Sequence, residues 1–191
     1  MLINLIDKNC AKIILFLALS PGSNYRRNEI KEKTMLHNVP LDISLNKLII
    51  LDIIKETNKI YSLNVNNLIV KNIFDERKEI SNIPLLVQYQ LLDLVDKLIE
   101  LRGIKNIILF GSYSKLIFSG KSDVDIAIVL NNKIKNKNKI VSAIAKKLSI
   151  RYKKDVQTHL FFESDLKHKE DPLIKDILRN GTGYSRRTAS A

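Results

Sequence analysis

A chain of 191 residues with 45% hydrophobic and 27% charged residues is long and apolar enough to bury a core, which excludes wholesale disorder. No apolar run approaches the roughly 20 residues of a spanning helix, and Met1 to Asp7 lacks the basic stretch and cleavage site of a signal peptide, so no membrane role is expected. The net charge of +12 suits phosphate-bearing partners or simple solubility, and the single cysteine, Cys10, suits a reducing cytoplasm.

Taken in order, residues 11–19 form an apolar stretch that stops at the breaker cluster Ser20-Pro21-Gly22. Residues 24–36 read as a polar helix with Ile30 and Met35 as its apolar points. A turn is expected over His37 to Pro40, then a third helix capped by Asp42 or Ser44 and running to about Leu51. Residues 53–63 look like two short strands around a Thr57-Asn58 turn. Helix, helix, helix, hairpin resembles a winged helix-turn-helix. Its third helix offers a nucleic acid only Ser44, Asn46 and Lys47, with no arginine for the bidentate guanine contact. Arg26 and Arg27 suit either phosphates or solvent. DNA binding and protein docking both stay open for this segment.

Two helices are expected next, over 66–79 and 84–101. In the second, Leu91, Leu94, Val95, Leu98 and Leu101 form one apolar stripe and Asp93, Asp96, Lys97 and Glu100 lie outside it. The domains are therefore read as a winged-helix-like α+β domain over 1–65, a helical linker over 66–84, an α/β domain over 85–184 and a flexible tail over 185–191. The α/β domain alternates strands at 104–110, 124–130 and 156–162 with a short helix after Gly111, a helix over 139–152 and one over 172–180, giving a small mixed sheet flanked by helices. Residues 1–84 carry 12 basic and 9 acidic side chains, a net of +3, whereas 85–191 carry 20 and 11, a net of +9. The basic excess belongs to the α/β part.

The chemistry gathers around Gly111-Ser112 and Ser122-Asp123-Val124-Asp125, between two apolar strands. Side chains at i and i+2 of a strand share a face, so Asp123 and Asp125 present two carboxylates to one spot, as a hard cation such as Mg²⁺ requires. A Gly-Ser turn opening a helix offers N–H groups to phosphate. Asp155, at the head of the next strand, is a third carboxylate for the same rim or an ordinary turn residue.

Gly-Ser, a gap, Ser-Asp-x-Asp and a later Asp-Val together resemble the DNA polymerase β-like nucleotidyltransferases, above all the minimal nucleotidyltransferases of archaea and bacteria. The likeness spans about 85–185 and includes the closing helix and glycine, Pro172 to Gly181. It implies that Gly111, Ser112 and Lys115 bind the triphosphate, and that Asp123, Asp125 and Asp155 hold two Mg²⁺ ions and carry catalysis. It also implies NTP as substrate and the hydroxyl of a protein, often a partner toxin, or of an RNA as acceptor. Asp155 would help to activate that hydroxyl. A homodimer is among the expected assemblies. The alternatives are a winged-helix DNA-binding regulator and an antitoxin-like binding protein, each with a weak or inactive transferase domain.

Leu116 departs from the pattern, since a second glycine is usual there. His37, His159 and His168 show no metal-ligand spacing, and His159 lies about 13 Å along its strand from Asp155. Lys133, Lys135, Lys137 and Lys139 read as a solvated run or a nucleic-acid contact.

Overall fold

The computed structural model describes residues 6–71, 82–131 and 137–184. The chain divides into two compact units, Met1–Leu85 and Leu86–Ala191. No helix among the described residues is long and apolar enough to cross a membrane.

The first unit runs α1 (Lys8–Leu17), β1 (Asn24–Arg26), α2 (Arg27–Thr34), α3 (Asn38–Ile50), β2 (Ile54–Thr57) and β3 (Ile60–Leu63), with the antiparallel order β1-β3-β2. Asp7 starts α1 earlier than the apolar run suggests, because its carboxylate accepts the N–H groups of Asn9 at 2.9 Å and Cys10 at 3.0 Å. Residues 24–26 are a strand, not the head of a helix; they pair with Ile60 to Ser62. The expected turn at His37 to Pro40 is instead the first turn of α3, where proline's missing N–H costs nothing. Asp42 does not cap that helix, since both its oxygens bind Arg27, at 2.6 and 2.9 Å; Ser44 is buried. Asn58 and Lys59, at φ 54° and 62°, make the tight turn of the β2–β3 hairpin. Cys10, Ile13, Leu17, Ile30, Leu41, Leu48 and Ile53 fill the core of the unit. The expected helix over 66–79 lies within the described residues only at its start, from Leu68.

The second unit runs α4 (Leu85–Ile99), β4 (Ile104–Phe110), the short α5 (Gly111–Ser114), β5 (Val124–Leu130), α6 (Lys137–Tyr152), β6 (Val156–Phe162), a 3₁₀ turn (Asp165–Lys167), α7 (Pro172–Asn180) and β7 (Thr182–Tyr184). Its sheet order is β6-β5-β4-β7, with β5 and β6 parallel and the other pairs antiparallel. The mixed sheet flanked by helices is thus as expected; β7, carrying Tyr184 that was assigned no strand, is an addition at the edge. Residues 185–191, the expected tail, lie outside the described residues.

Asp93 is not on the solvent side of α4. It is buried, accepts a hydrogen bond from the Tyr152 hydroxyl and has the Arg151 guanidinium at 3.5 Å, so a polar contact ties α4 to the end of α6. Lys137 likewise leaves the expected basic run: it is buried and its ammonium donates to the carbonyl of Arg102. Lys139 is exposed, and Lys133 and Lys135 lie outside the described residues.

Candidate active site at the β5–β6 edge

Two register facts set the site. Val124 faces Val156 and Asp125 faces Gln157 across the parallel pair, and the N–H of Val124 donates to the carbonyl of Asp155 at 2.9 Å. Because cross-strand partners project to the same side, Asp123, Asp125, Gln157 and His159 share one face. Further along, that face carries Ala127, Val129 and Phe161, which pack with Ile108, Phe110 and Ile177. The apolar stretch closes under α7, and the polar end is left open.

At the open end Asp125 is half-buried. Burial is the largest influence and pushes its carboxyl above the ordinary value; Asp123 and Asp176 push in the same direction, while His159 and Lys115 pull against them. Asp123 accepts a hydrogen bond from Gln157 Nε2 at 2.6 Å. His159 stands edge-on to Phe110, with ring centroids 5.5 Å apart.

Gly111 meets this pair from β4. Its φ is 73°, and a Cβ there would overlap Asp125 Oδ2 and lie 3.1 Å from Asp125 Cγ. Only glycine gives both the left-handed backbone and the space. The turn after it is held by Ser114 Oγ on the Gly111 carbonyl at 3.0 Å and by the Ile117 N–H on the Ser112 carbonyl at 3.0 Å. Tyr113 is buried and stacks on Phe118, centroids 4.5 Å apart, with the Lys154 ammonium 5.6 Å above its ring. Leu116 is exposed at 41% with φ 57°. The position usual for a second glycine therefore asks for a left-handed backbone, not for slimness.

Of the sequence candidates, Gly111, Asp123 and Asp125 are brought together. Ser112 is at the start of the same turn, partly exposed. Lys115 follows it, but its ammonium is bound to both oxygens of Asp176, at 3.1 Å each. Asp155 stands exposed at the head of β6, two residues before Gln157 on the same face, and among the described residues no three His, Cys, Asp or Glu side chains form a metal-holding group. Gln157 reaches Asp123. Asp123 and Asp125 are an all-oxygen pair of the kind a hard divalent cation takes, beside the space that Gly111 leaves.

Sequence reasoning missed Gln157, His159 and Asp176. The first two carry a signal in retrospect: the offset of His159 was reckoned along its own strand from Asp155, whereas the parallel register puts it diagonal to Asp125. Asp176 carries none, since a charge on one helix does not announce which loop it will meet.

Residues 93–183 match the family model described as polymerase beta, nucleotidyltransferase. No curated protein matches the chain. Among solved structures, the chain is similar to a toxin-antitoxin crystallised with AMP-PNP, at 23% identity over 51% of this chain and 73% of that one, with a TM-score of 0.38. It is also similar to a mutant form of the toxin-antitoxin MntA-HpeT, at 21% identity over 51% and 73%, TM-score 0.38. A candidate nucleotidyltransferase from Sulfolobus solfataricus matches at 19% identity over 54% of this chain and 89% of that one, TM-score 0.31. By the family match, residues 93–183, a little under half of the chain, are a polymerase beta-type nucleotidyltransferase domain.

Proposed function

We propose that the protein moves a nucleoside monophosphate from an NTP to a hydroxyl on a protein or RNA acceptor. The observation that carries this is the approach of Asp125 to Gly111, which sets a carboxylate pair directly against a turn suited to phosphate. In this reading Gly111 and Ser112 offer N–H and hydroxyl donors to the triphosphate, and Lys115 adds a cation. Asp123 and Asp125 would hold a divalent ion such as Mg²⁺, which when bound neutralises charge on the reacting phosphates. Gln157 fixes the rotamer of Asp123 through its hydrogen bond. Asp155, exposed at the head of β6, is proposed to receive the proton of the acceptor hydroxyl.

The N-terminal unit supports a second, subordinate reading. Its helix, strand, helix, helix, hairpin order is that of a winged helix, and we infer that it docks protein in preference to reading DNA. Lys47 is paired with Asp7 at 3.1 Å, Arg27 with Asp42, and Ser44 is buried, so of the three side chains that α3 offers to bases Asn46 is the one left exposed and outside these contacts. The outward side of α3 instead carries Val39, Ile43 and Ile50, exposed at 69%, 61% and 83%.

The test uses α-labelled NTPs with Mg²⁺, cell RNA and lysate. Label transferred by the intact protein and lost in Asp123→Ala/Asp125→Ala supports the transferase. Absence of transfer to any acceptor, together with duplex binding that ignores the double substitution, overturns it in favour of the regulator.

A further inference from the structure

One carboxylate in the C-terminal unit engages the cation that the proposed transferase assigns to phosphate. Asp176, on α7, accepts the Lys115 ammonium on both oxygens at 3.1 Å. Asn180, one turn further along α7, donates to Asp176 Oδ1 at 2.7 Å and holds the side chain in that rotamer. Led by that Asn180 bond and joined by Lys115, these contacts keep the Asp176 carboxyl below the usual carboxylate range.

We propose that Asp176 is a built-in anion occupying the Lys115 ammonium at the end of the 111–115 turn, which a triphosphate must displace in order to bind. The inference rests on the reading of this turn as the triphosphate site and names the residue that sets its affinity and selectivity. An anion carried by the fold itself competes at an effective concentration of millimolar order or higher. A single weak anion such as orthophosphate does not overcome it. A triphosphate does, because its several charged oxygens engage Lys115, Gly111 and Ser112 together. Displacement also releases α7 from the turn at the Lys115 end, so occupancy of the site is reported at the helix that closes the sheet. A purely structural Asp176 behaves in the opposite way: its removal loosens the turn and weakens binding.

The experiment measures dissociation constants of ATP, inorganic tripolyphosphate and orthophosphate, without added metal, by calorimetry. The proteins are the full chain and its Asp176→Asn, Asp176→Ala, Lys115→Ala and Lys115→Ala/Asp176→Ala variants, each checked by thermal melting. Asp176→Ala is expected to tighten ATP and tripolyphosphate about tenfold, with Asp176→Asn in between, because the pair is partly exposed and its competition is screened. Orthophosphate binding is expected to become measurable in Asp176→Ala, and the gain to shrink when Lys115 is already alanine. Binding by the intact chain that stays unchanged or weakens in both Asp176 variants overturns the proposal and leaves the transferase reading standing. Failure of every folded variant to bind ATP or tripolyphosphate overturns both.

Discussion

The two units use charge in opposite ways. In the N-terminal unit opposite charges are matched at the surface: Arg27 clasps Asp42, Lys47 pairs with Asp7, and both carboxyls are held below their ordinary pKa. At the β5–β6 edge of the C-terminal unit carboxylates are gathered instead: burial chiefly raises the carboxyl of half-buried Asp125, His159 opposes the rise, and Asp123 and Asp176 add to it against Lys115. Matched charge needs no ligand to explain it. Crowded like charge, held beside a glycine whose missing side chain makes the crowding possible, is a cost that a bound cation would relieve. The contrast separates the scaffold from the site without appeal to any relative.

The sharpest way to break that contrast is Gly111→Ala. The new methyl overlaps Asp125 Oδ2 and must adopt φ 73°, so Asp125 is driven off the turn. The expected result is loss of nucleotide transfer and destabilisation of about 3 kcal/mol, combining left-handed strain with the steric clash. Thermal melting and the labelled-NTP assay read the two effects separately. A variant with native melting and full transfer would remove Gly111 from the site. Next in size is Tyr152→Phe, which takes the phenolic donor from buried Asp93. A buried carboxylate losing a hydrogen bond costs about 1–3 kcal/mol, measured by denaturant unfolding, while the sheet edge and its transfer chemistry should be untouched.

Most of the C-terminal fold was legible because its strands are apolar runs between unmistakable turns, from 104–110, 124–130 and 156–162. The closing glycine was legible as well, and its reason is now visible: a Cβ on Gly181 would overlap the Ile177 carbonyl oxygen and Ile108 Cγ2. β7 escaped notice because three residues, Thr182 to Tyr184, carry no periodicity of their own and become a strand only by pairing with β4. His37 to Pro40 reads as a turn from sequence, although the first turn of a helix accepts proline and Asn38 already begins α3. Asp93 was put on a polar face by helical spacing, which knows nothing of a tyrosine arriving from another helix. Asp123, Asp125 and Gly111 were readable from local pattern. Gln157, His159 and Asp176 depend on strand register and helix docking, which are tertiary facts.

Leu116 refines the picture on a smaller scale. A leucine at φ 57° is strained by roughly 1–2 kcal/mol, and its exposed side chain offers little packing to lose. Leu116→Gly is therefore expected to raise stability by about 0.5–1 kcal/mol after the extra entropy of an unfolded glycine is counted. A lower melting temperature would mean that Leu116 packs in a way its exposure hides.

The smallest expected effect lies in the matched unit. Asp7 caps α1 and pairs with Lys47; burial alone would raise its carboxyl, but the Cys10 N–H, Lys47 and the Asn9 N–H outweigh it and leave its pKa below the ordinary 3.8. Because the folded value is depressed, the stability from the ionised carboxylate is present above the unfolded value and fades as pH falls through the folded one. Asparagine caps a helix about as well as aspartate, so Asp7→Asn removes only the charge. Near neutral pH it should cost roughly 0.5 kcal/mol, as partly exposed pairs do. The difference from the parent protein should shrink as the pH is taken below 3.8 and vanish only below the depressed folded value, where the folded parent's own carboxylate becomes protonated. A cost that persists in acid would show that Asp7 acts through its shape, and that charge matching contributes nothing measurable to the N-terminal unit.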